Sequence, residues 1–236
     1  MTRPYLSHNP GWKVATLAAD PHGEVVVAVT SGGTPPTNVP EYWDGDIPWL
    51  APKEITRSAG GIYVSRTERT ITAEGLRNSA SRLMPAGTVM LTKRAPVGAV
   101  VVNAVPMATN QGFLNFKCGT LLDPLFLCFW FRANKPYLDA VANGSTYPEL
   151  YPGDLFEFEI ALPTIAEQRQ ITRLLLSLEL AIGLGDILES SADQISSVLE
   201  VQHETRDIVR LREMLLPRLL SGEVSVKDFR SLEVLS

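Results

Sequence analysis

From Pro163 onward the chain changes character, and that change restricts its fold more than any other feature. Between Thr164 and about Ser221 only Gly183, Gly185 and Pro217 interrupt a run rich in Leu, Glu and Arg. Apolar side chains at Ile171, Leu174, Leu178, Ala181, Leu188, Ala192, Ile195, Leu199, Val209 and Leu216 follow alternating steps of three and four. Gly185, Gln202, Arg206 and Glu213 fill the remaining steps. This spacing predicts a helix with a coiled-coil-like apolar seam broken by polar residues. A continuous helix here would be about 80 Å long at about 1.5 Å per residue. A rod that outreaches its own domain needs a partner helix to cover its seam. The alternative is a break near Gly183, Gly185 and Asp186 that folds the segment into an antiparallel hairpin covering itself. Pro217 is expected to kink or end the helix, with Gly222 as its stop.

The junction LPTIAEQRQI (162–171) predicts where the helix begins. Thr164 and Glu167 have the spacing of a capping box, in which each side chain satisfies the other's backbone N–H. Glu167 also places a negative charge in the first turn, where the helix dipole favours it. Pro163 holds Leu162 extended, so a strand is expected to end there.

The preceding 162 residues read as α/β with many short strands. Candidate strands are EVVVAV (24–29), GTVMLTKR (87–94), GAVVVNAV (98–105) and LFEFEIAL (155–162), separated by the turn clusters SGGTPP, WDGD, PAG, NGS and YPGD. A short helical turn is expected within residues 70–83. A longer amphipathic or buried helix is expected from about Pro124 to Ala142, with a break at Pro136. The expected organisation is α+β: a mixed domain over 1–162, a helical region over 163–222 and a tail over 223–236. No fixed-period repeat suggests a solenoid or propeller.

The start MTRPYLSHNPGW has no apolar run, so no signal peptide is expected, and no stretch is apolar enough to span a bilayer. Cys118 and Cys128 lack metal or redox spacing, which points to a reduced, cytoplasmic setting. The net charge of −5 argues against a free-standing, non-specific nucleic-acid binder. The charge is unevenly distributed, however. Lys53, Arg57, Arg66, Arg69, Arg77, Arg82, Lys93 and Arg94 face only Glu54, Glu68 and Glu74 in the same stretch. Such a segment suits one anionic polymer at one face, and equally an ordinary solvated surface.

Motifs for chemistry are missing. There is no GxxxxGK[ST], GxGxxG or GxSxG, and His8, His22 and His203 lack zinc-helix spacing. Asn9-Pro10-Gly11-Trp12 only faintly matches the catalytic loop of adenine methyltransferases, and no cofactor-binding glycine motif precedes it. No catalytic residue, metal ligand or cofactor is therefore assigned, and the balance moves toward a binding protein rather than an enzyme.

The ordered set GWKVATLAAD, SGGTPP, YWDGDIPWLAPKEI, ITAEGLRNSASRLMPAGTVMLTKRAPVGAV, ATNQGF, GSTYPELYPGDL, ALPTIAEQRQI and LLPRLLSGEVSV resembles the specificity subunit of type I restriction-modification systems. The resemblance covers nearly the whole chain; each motif is soft, and their order is specific. It implies a target-recognition domain that reads part of a bipartite site in double-stranded DNA. It also implies a spacer helix that pairs antiparallel and docks DNA adenine methyltransferase subunits, to which restriction endonuclease/translocase subunits can add. Members of this family usually carry two recognition domains and two spacer helices, so this chain resembles a half-subunit. A homodimer reading an interrupted palindrome follows as an expectation, with another half-subunit as the alternative mate.

Under that reading Lys53, Arg57, Arg66, Arg69, Arg77, Lys93 and Arg94 are candidates for the DNA face, with Ser145, Thr146 and Tyr147 in a Gly-flanked loop as candidate phosphate contacts. Each has an ordinary surface or turn role as its alternative. Asn110 and Gln111 are expected to be structural, and Trp43, Trp49, Trp130 and the Phe126 cluster to be core. Ile171, Leu174, Leu178, Leu188, Ile195, Leu199, Val209 and Leu216 are the candidate dimer or partner contacts. The competing classes are a coiled-coil adaptor without DNA specificity and an enzyme whose catalytic set is unfamiliar.

Overall fold

The structure is a computed structural model and describes residues 9, 11–57, 61–94, 96–142, 148–191 and 195–229. Its elements in chain order are β1 (Lys13–Thr16), β2 (Val26–Ser31), β3 (Trp43–Leu50), α1 (Pro52–Arg57), β4 (Tyr63–Val64), β5 (Arg69–Ile71) and α2 (Ala73–Arg77). Then follow β6 (Val89–Thr92), β7 (Val100–Asn103), β8 (Ala108–Thr109), β9 (Phe113–Cys118), α3 (Pro124–Ala133), α4 (Lys135–Ala142), β10 (Glu159–Leu162), α5 (Ile165–Ser191) and α6 (Ile195–Leu220). The α+β class expected from the sequence is observed. The chain divides into two compact units, one of Val14–Ile160 and one from Ala161 onward together with the segment ending at Lys13.

The first unit is built on a five-stranded sheet of order β2-β9-β6-β7-β4. Its pairs are antiparallel except β4–β7. Strands β6 and β7 are buried at every residue, as expected of β-branched runs covered on both faces. Helix α3 lies on β6 and β7, and Phe126 to Phe131 are all buried. Each such side chain removed from water contributes about 1.5–3 kcal/mol, so α3 supplies much of this core. Its N-terminus is capped by Asp123, whose carboxylate accepts from the N–H groups of Leu125 and Phe126. The break before α4 falls at Asn134, whose side-chain amide donates to the Trp130 carbonyl, and not at Pro136. Pro136 sits in the first turn of α4, where its missing N–H costs nothing.

A second sheet of order β5-β3-β8 packs around Trp43, Trp49, Ile71 and Ala108. WDGD belongs to β3 and is not a free turn. Trp43 and Ile47 both face Ile71, so the intervening residues form a bulge, with Asp44 at φ 59. The SGGTPP loop is locked from three sides. Gly33 N–H donates to Thr109, while the Gly33 carbonyl accepts from the Trp49 indole at 2.9 Å and the Ser81 hydroxyl at 2.6 Å. A Cβ on Gly33 would sit 2.5 Å from the Ser81 backbone nitrogen, so only glycine fits. LFEFEIAL is split: residues 152–157 form a 3-10 turn and only Glu159–Leu162 form a strand, which pairs with β1.

In the second unit the capping box is present. Thr164 N–H donates to the Glu167 carboxylate at 3.0 Å, and Glu167 N–H to the Thr164 hydroxyl at 3.3 Å. The helical region is two helices packed on each other, the hairpin alternative and not one continuous rod. The two helices run antiparallel, so that Arg212 in the C-terminal half of α6 meets Glu179 near the middle of α5 at 3.3 Å. The break does not fall at Gly183 and Gly185, which lie inside α5. Buried Ile171, Leu175, Leu215, Leu219 and Leu220 dominate the unit's energy. The ion pair adds about 0.2–1 kcal/mol, against about 1.5–3 kcal/mol for each buried Leu. Pro217 is accommodated within α6, which runs to Leu220 and is stopped by Gly222 at φ 72.

Two features of the first unit give testable expectations. The Asp20 carboxylate accepts N–H bonds from His22, Glu24, Val25 and Val26. These bonds, that of Val25 foremost and against a smaller opposing effect of burial, lower its pKa from 3.8 to about 2. Its stabilising effect is therefore complete above pH 3.8 and lost as pH falls through about 2. Acid unfolding of Asp20→Asn should lose this component, and a carboxyl NMR titration of Asp20 centred near 3.8 would contradict the assignment. Asn103 is buried, accepts from Thr88 N–H and donates to the Pro85 and Val105 carbonyls. Asn103→Ala should cost about 3 kcal/mol in urea unfolding; a loss below about 1 kcal/mol would mean that water replaces the amide.

Candidate nucleic-acid interface

The basic residues singled out in the sequence separate into groups. Strand β3 leads directly into α1, whose start at Pro52 follows a turn in which the Glu54 carboxylate accepts from Ala51 N–H at 2.9 Å. The second oxygen of Glu54 accepts from Glu68 N–H at 2.6 Å, and Lys53 pairs with Glu68 at 2.9 Å. These bonds tie α1 to the segment 66–69, so Lys53, Arg66 and Arg69 share one region of the first unit. Arg57 ends α1 in the same region; its side chain lies outside the described set. A cleft of about 360 Å³ opens between α1 and this segment, lined by Ile55, Tyr63, Arg66, Thr67 and Glu68 over a floor including Val101. Arg77, exposed at the last turn of α2, follows β5 by one short helix.

Arg69 is held in a particular way. Its guanidinium carbon lies 3.4 Å from the centroid of the Trp43 ring, a separation that only flat stacking allows. Trp43 meets Trp49 edge-on at 5.2 Å, and the two indole N–H groups are taken by the Pro36 and Gly33 carbonyls. Both Trp rings are buried, as expected of core residues. The expectation of a purely internal role for Trp43 missed the Arg stacked on it. The signal was available only in part: Arg69 stands two residues before the apolar Ile71 on one strand, hence on the same face.

Lys93 is placed differently. It pairs with Glu149 at 2.9 Å, with side chains only 14% and 18% exposed, so its charge is largely spent within the fold. Arg94 follows it, half-buried, in the turn between β6 and β7. This turn nonetheless lies near α1, since Lys93 N–H donates to the Gly112 carbonyl, and a Cβ on Gly112 would lie 3.0 Å from the Pro52 ring. Asn110 and Gln111 are structural: the Asn110 side chain accepts from Gly112 N–H, and Gln111 accepts from the Thr34 hydroxyl. Ser145, Thr146 and Tyr147 lie outside the described residues.

Of the helical candidates, Ile171 and Leu216 are buried and Leu174, Leu178 and Val209 half-buried, while the side chains of Leu188, Ile195 and Leu199 are outside the described set. Among the described residues no cluster of His, Cys, Asp and Glu is suited to a metal, and no helix is long and apolar enough to cross a membrane. Burial, aided by the Asp123 carboxylate, pushes the Cys118 thiol up to about 12, so no thiolate forms there near neutral pH.

A family model described as the type I restriction modification DNA specificity domain matches residues 21–186. The MjaIX specificity subunit, from a type I restriction enzyme of Methanocaldococcus jannaschii, is 42% identical over 149 residues, covering 62% of this chain and 34% of that protein. The EcoR124I/EcoR124II specificity subunit of Escherichia coli is 29% identical over 154 residues, covering 61% and 36%. The chain thus spans less than half the length of these curated relatives. In fold it is similar to the HsdS subunit from Thermoanaerobacter tengcongensis, with a TM-score of 0.57 at 19% identity over 94% of this chain and 47% of that one. The match to the family model extends over most of the first unit and into α5, and the chain belongs to the family of type I restriction-modification DNA specificity domains.

Proposed function

We propose that the first unit reads one half of a bipartite DNA site for a type I restriction-modification complex, and that the helical hairpin is its assembly element. The observation that carries this reading is the gathering of Lys53, Arg66 and Arg69 on one region of a DNA-specificity-family fold, with Arg66 and Arg69 exposed. Among the described residues neither guanidinium is paired with a carboxylate. Cations left unpaired at a surface are free to replace the counterions of a phosphate backbone. Arg57, Arg77 and Arg94 extend the proposed face, and Lys93, already neutralised, contributes least to it. Ser145, Thr146 and Tyr147 remain proposed phosphate contacts.

The proposed partners are DNA adenine methyltransferase subunits, and a restriction endonuclease/translocase subunit beyond them. The relatives are named as specificity subunits of type I restriction enzymes, which supports a role of recognition and not of catalysis. Self-pairing of two copies through the hairpins is also proposed, giving a two-fold reader and an interrupted palindromic site. Its support is apolar surface left on the hairpin: Leu180 is 68%, Met214 59% and Leu211 40% exposed. Leu211 and Met214 are three residues apart and share one side of α6.

Arg66→Ala with Arg94→Ala should weaken binding to duplex DNA and lower the slope of log K against log salt by about two. An unchanged slope would remove these residues from the interface. Leu211→Glu with Met214→Glu should convert dimers to monomers in light scattering, and a persistent dimer would reject pairing through α6.

A further inference from the structure

We infer that Arg69 is a base-reading residue, specific for guanine in a G·C pair, and that Trp43 is the positioning residue that fixes its plane. This rests on the proposed DNA-reading role of the first unit and goes beyond it, because it separates one specificity contact from the surrounding phosphate-binding charges.

Three observations converge. The first is the stacking itself. Arg69 lies opposite Trp49 across the β3–β5 pairing and on the same face as Ile71, and its guanidinium lies flat on Trp43 at 3.4 Å and 6.0 Å from the Trp49 ring. All guanidinium N–H bonds lie in its plane, so a partner beneath one face leaves the donor edges open. The residue is exposed, and among the described residues no carboxylate takes those donors.

The second is that the platform is rigid. Trp43 donates to Pro36 and Trp49 to Gly33, and the two rings are buried edge to face. The strand that carries Arg69 is also pinned, with the Thr67 hydroxyl donating to the Arg69 carbonyl at 2.6 Å and accepting from Trp49 N–H at 3.1 Å. A phosphate is satisfied by any nearby cation in many orientations. Bidentate pairing to guanine O6 and N7 requires one plane, and fixing that plane in advance removes the entropy cost of ordering a long side chain.

The third is the charge on the segment that carries the platform. Glu41, Asp44 and Asp46 are exposed on the segment that carries Trp43. Negative charge on this segment disfavours a phosphate strand laid along it more than it disfavours a neutral base edge. A carboxylate also accepts from the N4 amino group of cytosine, the other half of the same pair.

The test uses the full chain with its methyltransferase subunits. Bound duplexes are selected from a randomised pool, and the base preferences of wild type and variants are compared at each position. Arg69→Lys keeps the charge and loses the planar fork. It should retain non-specific affinity and salt dependence while losing about tenfold or more of the preference for guanine at one position, with other positions unchanged. Arg69→Ala should lose the same preference. Trp43→Leu should relax that position with Arg69 intact, and Trp43→Phe, which keeps a ring face, should restore most of it. Arg66→Ala, by contrast, should weaken all sequences alike. A uniform loss in Arg69→Ala with Arg69→Lys behaving as wild type overturns the inference, because it marks a phosphate contact. Unchanged preferences in Arg69→Ala also overturn it, leaving Arg69 as a cover for the indole. If the wild type itself selects no sequence, the DNA-reading role falls, and the role of Arg69 falls with it.

Discussion

Everything in the first unit hangs on the burial of α3 against the five-stranded sheet. Six consecutive residues, Phe126 to Phe131, leave water together, and their partners are the fully buried strands β6 and β7. Packed on both faces, this sheet is fixed in register and has no freedom to slide. Its connections inherit that rigidity. The β6–β7 turn, the 110–112 turn and α1 are brought together by backbone bonds from Lys93 to Gly112 and from Asn110 to Leu50. A mobile surface carrying the same charges would spend part of its binding energy on ordering itself.

The smaller sheet uses the rigidity differently. It buries two tryptophans and then covers one of them with an arginine. The planar guanidinium both covers the indole face and keeps its charge and donor edges at the surface, which an aliphatic side chain at position 69 could not do. The same sheet concentrates acidic residues at the β3 bulge, one strand away from the basic segment. A surface of mixed sign, set on fixed strands, distinguishes orientations of a polyanion better than a uniformly basic one.

What the sequence revealed follows the range of the interactions involved. The capping box at Thr164 and Glu167 was legible because both partners lie within one turn. Strands β2 and β7 were legible from runs of valine, and β6 from the apolar run around Met90 and Leu91. Strand β3 was hidden because its Asp-Gly-Asp bulge carries turn residues, and its identity as a strand comes from Ile71, more than twenty residues away. The hairpin break was misplaced for an energetic reason. Each helical glycine costs only about 1 kcal/mol relative to alanine, less than the packing that α5 recovers. The basic run was readable as composition, while its division was not. Glu149 neutralises Lys93, and Trp43 captures Arg69, across distances that no local pattern encodes.

Photo-crosslinking followed by mass spectrometry tests the proposed face most directly. Duplex carrying photoreactive bases would be bound to the full chain with its methyltransferase subunits, and the modified peptides mapped. Adducts should concentrate on peptides spanning residues 43–77. Adducts confined to the helices beyond residue 164, with none on that segment, would contradict the assignment of the reading surface to the first unit.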